Sequence, residues 1–192
     1  MRRIWGSGRS NGAAGGDGRG SAGVGFAIAR VALAACLLAG PAAAQEARGT
    51  LTANGKSAAL GHVVAFEVDS ELEKGYLDVV VVLSDRRLAP ADARDGGRLE
   101  ALARKGELAA LVVRLNPDAK VLSAMPMHAA FTTFIRSAAF VRWQPSAFDE
   151  KRVAGRVFTD GTQNEFRQKW SYDVTFSAPI ALDPAAKTVP RK

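Results

Sequence analysis

His62 and His128 are the only side chains with an ordinary pKa near neutrality, and neither sits in an H-E-x-x-H or paired-histidine spacing. No metal site is expected from them. His62 opens the apolar run Val63–Phe66 and reads as a strand residue with one nitrogen satisfied. His128 is better placed for chemistry, because it ends an expected strand beside Phe131 and Thr132, where loops gather. The carboxylate pairs Glu71/Glu73 and Asp149/Glu150 lack the apolar surroundings that would drive their pKa values apart, so they read as solvated loop charge. The serines have no G-x-S-x-G context, and no Gly-rich phosphate loop follows residue 44. The expectation is a non-enzymatic protein without a cofactor.

One stretch favours recognition instead. Between Phe131 and Trp170 the chain interleaves Arg136, Arg142, Trp143, Arg152, Arg156, Arg167 and Lys169, a mixture that could face an anionic or a carbohydrate ligand. His128, Phe131, Arg142, Trp143, Arg156 and Lys169 are the candidate ligand-binding residues. The competing account is that these cations guard edge strands against edge-to-edge association.

The elements that must position these residues are mostly strands. From Trp170 to Ile180, Trp170, Tyr172, Val174, Phe176, Ala178 and Ile180 alternate with Ser171, Asp173, Thr175 and Ser177, the pattern of a half-buried strand. Tyr76–Ser84 is almost continuously aliphatic, as a strand covered on both faces would be. Arg48–Ala53 and Lys56–Val68 meet at Asn54-Gly55, a strong hairpin signal. Leu108–Asn116 and Val121–Met127 flank a turn-forming Pro117-Asp118 and form a second hairpin. Ala139–Trp143 and Arg152–Thr159 add two short strands. One helix is expected within Pro90–Lys105, with Gly96-Gly97 weakening its first turn and Gly106 ending it. Together these indicate an all-β fold, an antiparallel β-sandwich of Ig-like or jelly-roll-like type with one short helix between strands; the alternative is a small β-barrel.

Of the 192 residues, the first 44 stand apart. They hold five of the 26 cations and one of the 19 acids, so the remainder carries 21 against 18, a net of +3. The apparent basicity is largely the leader's, and nucleic acid is not an expected partner. Val31–Gly40 (VALAACLLAG) is shorter than the roughly 20 apolar residues a bilayer span needs, follows Arg30, and precedes Pro41 and Ala42-Ala43-Ala44. This predicts a low-complexity leader and cleavable signal peptide over 1–44, a sandwich domain over 45–181 and a flexible tail over 182–192. The expected destination is the periplasm or the exterior, with no transmembrane segment in the mature chain; lipid anchoring through Cys36 is the alternative, since Leu33–Cys36 fits a lipobox. Cys36 is the sole cysteine, so without it disulfides and thiolate chemistry are excluded and packing must hold the fold.

The segments VVVLSD (80–85), LARKGELAALVV (102–113), the His128/Phe131 pair, RVAGRVFTDG (152–161) and YDVTFSAPI (172–180) together resemble a family of small secreted bacterial β-domains without an established activity. The resemblance spans nearly the whole chain after the leader. Asp95-Gly96-Gly97 and Met125-Pro126-Met127 depart from its pattern. The resemblance implies fold and compartment and transfers no catalytic residue. The functional expectation is an exported module binding an envelope protein, a carbohydrate or an anionic ligand. The alternatives are a hydrolase using His128 with Asp160 or Glu165, and a structural envelope protein.

Overall fold

The computed structural model describes residues 45–182, all of which fall within one unit of the chain. The expected leader, signal cleavage, Cys36 anchor and the tail beyond Leu182 lie outside the described residues. Ten strands and two short helices follow in the order β1 (Glu46–Ala53), β2 (Lys56–Ala59), β3 (His62–Asp69), β4 (Leu77–Ser84), α1 (Pro90–Arg94), α2 (Gly96–Arg104), β5 (Ala110–Leu115), β6 (Val121–Met127), β7 (Val141–Phe148), β8 (Arg152–Thr159), β9 (Gln163–Glu165) and β10 (Gln168–Ala181).

The fold is an all-β sandwich and does not close into a barrel. In the first layer β10 pairs antiparallel with β1, β8 and β9, while β2 and β7 extend the two sides. In the second layer β3, β4, β5 and β6 pair antiparallel in sequence order. β10 serves both layers: after Pro179 its last residues, Ile180 and Ala181, pair in parallel with Ala65 and Phe66 of β3. The sandwich is therefore not wholly antiparallel, because one long strand crosses from layer to layer. Lys56–Val68 likewise divides into two strands. Leu60 is buried and Gly61 donates to the Ser84 carbonyl, so the chain leaves the first layer there and enters the second.

The alternation read from the sequence sets the core. Leu51, Trp170, Tyr172, Val174, Phe176 and Val157 of the first layer meet Val63, Ala65, Val79, Val81, Leu83, Leu111 and Val113 of the second. The second layer is apolar on its other face too, where Phe66, Val82, Ala110, Met125 and Met127 pack beneath Ala93, Leu99 and Ala103 of the helices.

Two helices replace the single one expected. Asp95 separates them with extended backbone, and its carboxylate accepts from the Arg98 amide at 2.9 Å. That cap satisfies an orphan N–H of the first turn, which is how a helix can begin at Gly96-Gly97. α1 begins with Pro90, whose missing N–H costs nothing there. Asn54 and Gly55 both have positive φ (48° and 80°), as the tight hairpin between β1 and β2 requires.

Candidate functional site

The residues singled out from the sequence do not gather in one place. Arg142 and Arg156 share the outer face of the first layer, around Phe158. Both are engaged by acids: Arg142 donates to Asp160 at 2.5 Å, and Arg156 grips Asp173 through two bonds of 2.7 and 2.6 Å while lying 4.4 Å from the Phe158 ring centre. The Arg156 hydrogen bonds hold the Asp173 carboxyl below its ordinary pKa and raise that of Arg156. Lys169 is exposed on the same strand as Asp173, at its start, opposite Asn164. Trp143 faces the other way. Its ring stacks on Phe176 of the core at 5.5 Å and 18°, so it packs the sandwich and presents nothing to that outer face.

His128 and Phe131 sit elsewhere, in the segment joining β6 to β7. Phe131 is buried in the inter-layer core and meets the imidazole edge-on at 6.4 Å. His128 Nδ1 accepts from the Ala130 amide at 2.9 Å, a bond that needs an unprotonated nitrogen. Burial and the Lys56 charge lower its pKa, with Asp85 opposing them. The charges acting on His128 are thus Lys56 and Asp85, while the Asp160 carboxylate is taken by Arg142. Two side chains fix this segment: buried Gln168 accepts from the Thr132 amide at 2.7 Å and donates to the Thr133 carbonyl at 3.0 Å, and exposed Asn54 donates to the Ala130 carbonyl at 2.8 Å.

A well-developed recess among the described residues lies on the opposite side of the molecule's second layer and was not singled out from the sequence. The two helices cover only part of the outer apolar face, and the uncovered part forms a groove of about 400 Å³. Its floor is Phe66, Val80, Val112, Met125 and Met127; Ala93 and Leu99 form the helical wall. Register explains the floor: Val80 opposes Arg114, and Val112 opposes Met125, so these side chains share one face.

The charged residues that line the groove are Asp69, Glu71, Arg94, Arg114 and Arg136. Arg94 lies 4.5 Å above the Phe66 ring centre and donates to the Glu67 carbonyl at 3.2 Å. Arg114 donates to Asp78 Oδ2 at 2.7 Å, to the Asp69 carbonyl at 2.7 Å and to the Glu71 carboxylate. Asp78 is fully buried, and its Oδ1 has no hydrogen-bond partner among the described residues. Arg136 completes the rim. The sequence signal for this site was Arg114 itself, a lone charge in the otherwise aliphatic ALVVRL of β5.

Among the described residues no group of three His, Cys, Asp or Glu side chains is arranged to hold a metal, and no helix is long and apolar enough to cross a membrane. Comparison with protein-family models, with curated proteins and with solved structures finds no match for this chain.

Proposed function

We propose that the protein is an exported, non-enzymatic binding module that holds a small, largely apolar molecule in the groove between its helices and the second layer. The observation that carries this reading is the groove itself: about 400 Å³ over a floor of Phe66, valines and methionines, with three arginines and two acids among its lining residues. Volumes of this order, apolar walls and a few peripheral polar groups are the usual make-up of small-molecule sites, and methionines adapt to varied apolar shapes. The Val31–Gly40 apolar run before Pro41 and three alanines supports export to the periplasm or beyond. The resemblance to secreted β-domains points the same way.

The test is binding of a neutral, environment-sensitive apolar fluorophore to the wild-type protein and to Val112→Trp. Val112 is only partly buried, so the larger ring would occupy the groove and leave the inter-layer core untouched. Saturable binding by the wild type, weakened by about tenfold or more in the variant while its thermal unfolding is retained, supports the reading. Equal binding by both, or no saturable binding by the wild type, overturns it.

A further inference from the structure

Resting on the groove as a binding site, we infer that its natural ligand is a single-chain amphiphile with one negatively charged head, the chain lying along the groove and the head meeting Arg136. Beside Ser123 and Arg136 lies a second recess of about 270 Å³, bounded by Leu122, Ser137, Ala138 and Leu72. Four residues, Glu71, Arg114, Ser123 and Arg136, line both spaces, so the two adjoin along them. The first space is mainly apolar, and the second is more polar, with Glu71, Arg114, Arg136, Ser123 and Ser137 beside Leu72, Leu122 and Ala138. A molecule filling both must change from apolar to polar along its length.

The rim arginines differ in what they have left to offer. Arg114 is spent on Asp78, Glu71 and the Asp69 carbonyl, three acceptors that hold its guanidinium in place. Arg94 is laid over Phe66 and bonded to the Glu67 and Ala181 carbonyls. Arg136 is exposed and makes no ion pair among the described residues, although Glu71 lines the same junction, because the Glu71 carboxylate is turned onto Arg114. One cation without an internal partner, set where the apolar floor gives way to the polar recess, calls for one anionic group at that point of the ligand. A cationic head would meet Arg136 and Arg114 together, and a neutral head would leave the guanidinium unanswered.

The inference is tested with three amphiphiles of one chain length, dodecanoate, dodecanol and dodecylammonium, each displacing the neutral fluorophore below its aggregation concentration. They are measured against the wild type, Arg136→Gln and Arg136→Lys. Arg136 is exposed, so neither substitution threatens the fold. In the wild type, dodecanoate is expected to bind at least about fivefold more tightly than dodecanol, with the advantage shrinking at high salt. Arg136→Gln removes that advantage and leaves dodecanol unchanged; Arg136→Lys keeps part of it. Equal affinities for dodecanoate and dodecanol in the wild type overturn the inference, as does an Arg136→Gln loss that falls equally on all three. If the fluorophore and dodecanol themselves fail to bind, the groove reading fails instead. Anionic vesicles separate a free amphiphile from a membrane surface: sedimentation of the protein with vesicles but no binding of dodecanoate monomers overturns the proposal.

Discussion

Arg114 and Asp78 lie on adjacent strands of the second layer, the guanidinium Nε donating to Oδ2 at 2.7 Å, with the carboxylate wholly out of solvent and the arginine side chain 13% exposed. Two opposite charges so placed hold each other in an apolar sheet, and removing one strands the other. Arg114→Met is expected to lower unfolding stability by about 3–5 kcal/mol, because Asp78 would be left buried and uncompensated. The double variant Asp78→Leu, Arg114→Met should recover most of that loss in urea titrations. Arg114→Lys should fall between, since one ammonium cannot span Asp78, Glu71 and the Asp69 carbonyl as the planar fork does. A double variant no more stable than Arg114→Met would contradict this account of the pair.

Much of the sandwich was legible because burial in a strand has a two-residue period that survives in the residues themselves. Arg152–Thr159 and the Trp170–Ile180 alternation needed no tertiary information, nor did the Asn54-Gly55 hairpin. The layer change after Pro179 was illegible, because the alternation of Phe176, Ala178 and Ile180 runs straight through it and only the pairing partner differs; at Leu60-Gly61 the inward positions shift from Ala58 and Leu60 to Val63 and Ala65, a change of phase hidden in a run of small and apolar residues. The groove was illegible for a related reason. It is the surface that two helices fail to cover, which depends on the break at Asp95 and on partners of Arg114 that lie 36 to 45 residues away in the chain. Trp143 shows the limit of composition most clearly: an aromatic among cations read as recognition, but strand register turned it inward onto Phe176.

Gly155 is what allows that inward turn. A Cβ built there would stand 2.3 Å from the Gln144 carbonyl oxygen and 2.6 Å from a Trp143 ring carbon. The first of these is backbone and cannot swing aside, so β7 and β8 would have to separate. Gly155→Ala is expected to cost about 2–3 kcal/mol or more, seen as a lower urea midpoint and a changed near-ultraviolet signal from the Trp143–Phe176 stack. Unchanged stability would mean that β7 is not seated against β8 as described.

At the turn between β9 and β10 the backbone does the opposite of what its residues prefer. Phe166 and Arg167 have φ of 47° and 62°, the left-handed region, and Phe166 is 77% exposed. Side chains there crowd the following carbonyl, which glycine avoids. Arg167→Gly should raise stability by roughly 0.5–1 kcal/mol, after allowing for the greater freedom of glycine in the unfolded chain. Groove binding should not change, because neither turn residue lines it. A loss of stability would show that Arg167 makes a compensating interaction.

His128 supplies the pH dependence. Its pKa is lowered by burial, reinforced by Lys56 and partly offset by Asp85, and the neutral Nδ1 accepts the Ala130 amide. The unfolded chain, with imidazole at its ordinary 6.5, therefore takes up the proton before the folded one does as pH falls. The stability owed to a neutral His128 is fully present above that value and drains away as pH drops through it toward the lower folded pKa. In His128→Asn the amide oxygen can still accept from Ala130, but no group at that position titrates. Urea unfolding of both proteins from pH 7.5 to 5 should thus show the wild type losing ground to the variant as the medium acidifies, and the carboxylates common to both drop out of the difference. Parallel curves would mean that the imidazole is as free to protonate in the folded protein as in the unfolded chain, and the burial around Phe131 would then have to be looser than its packing implies.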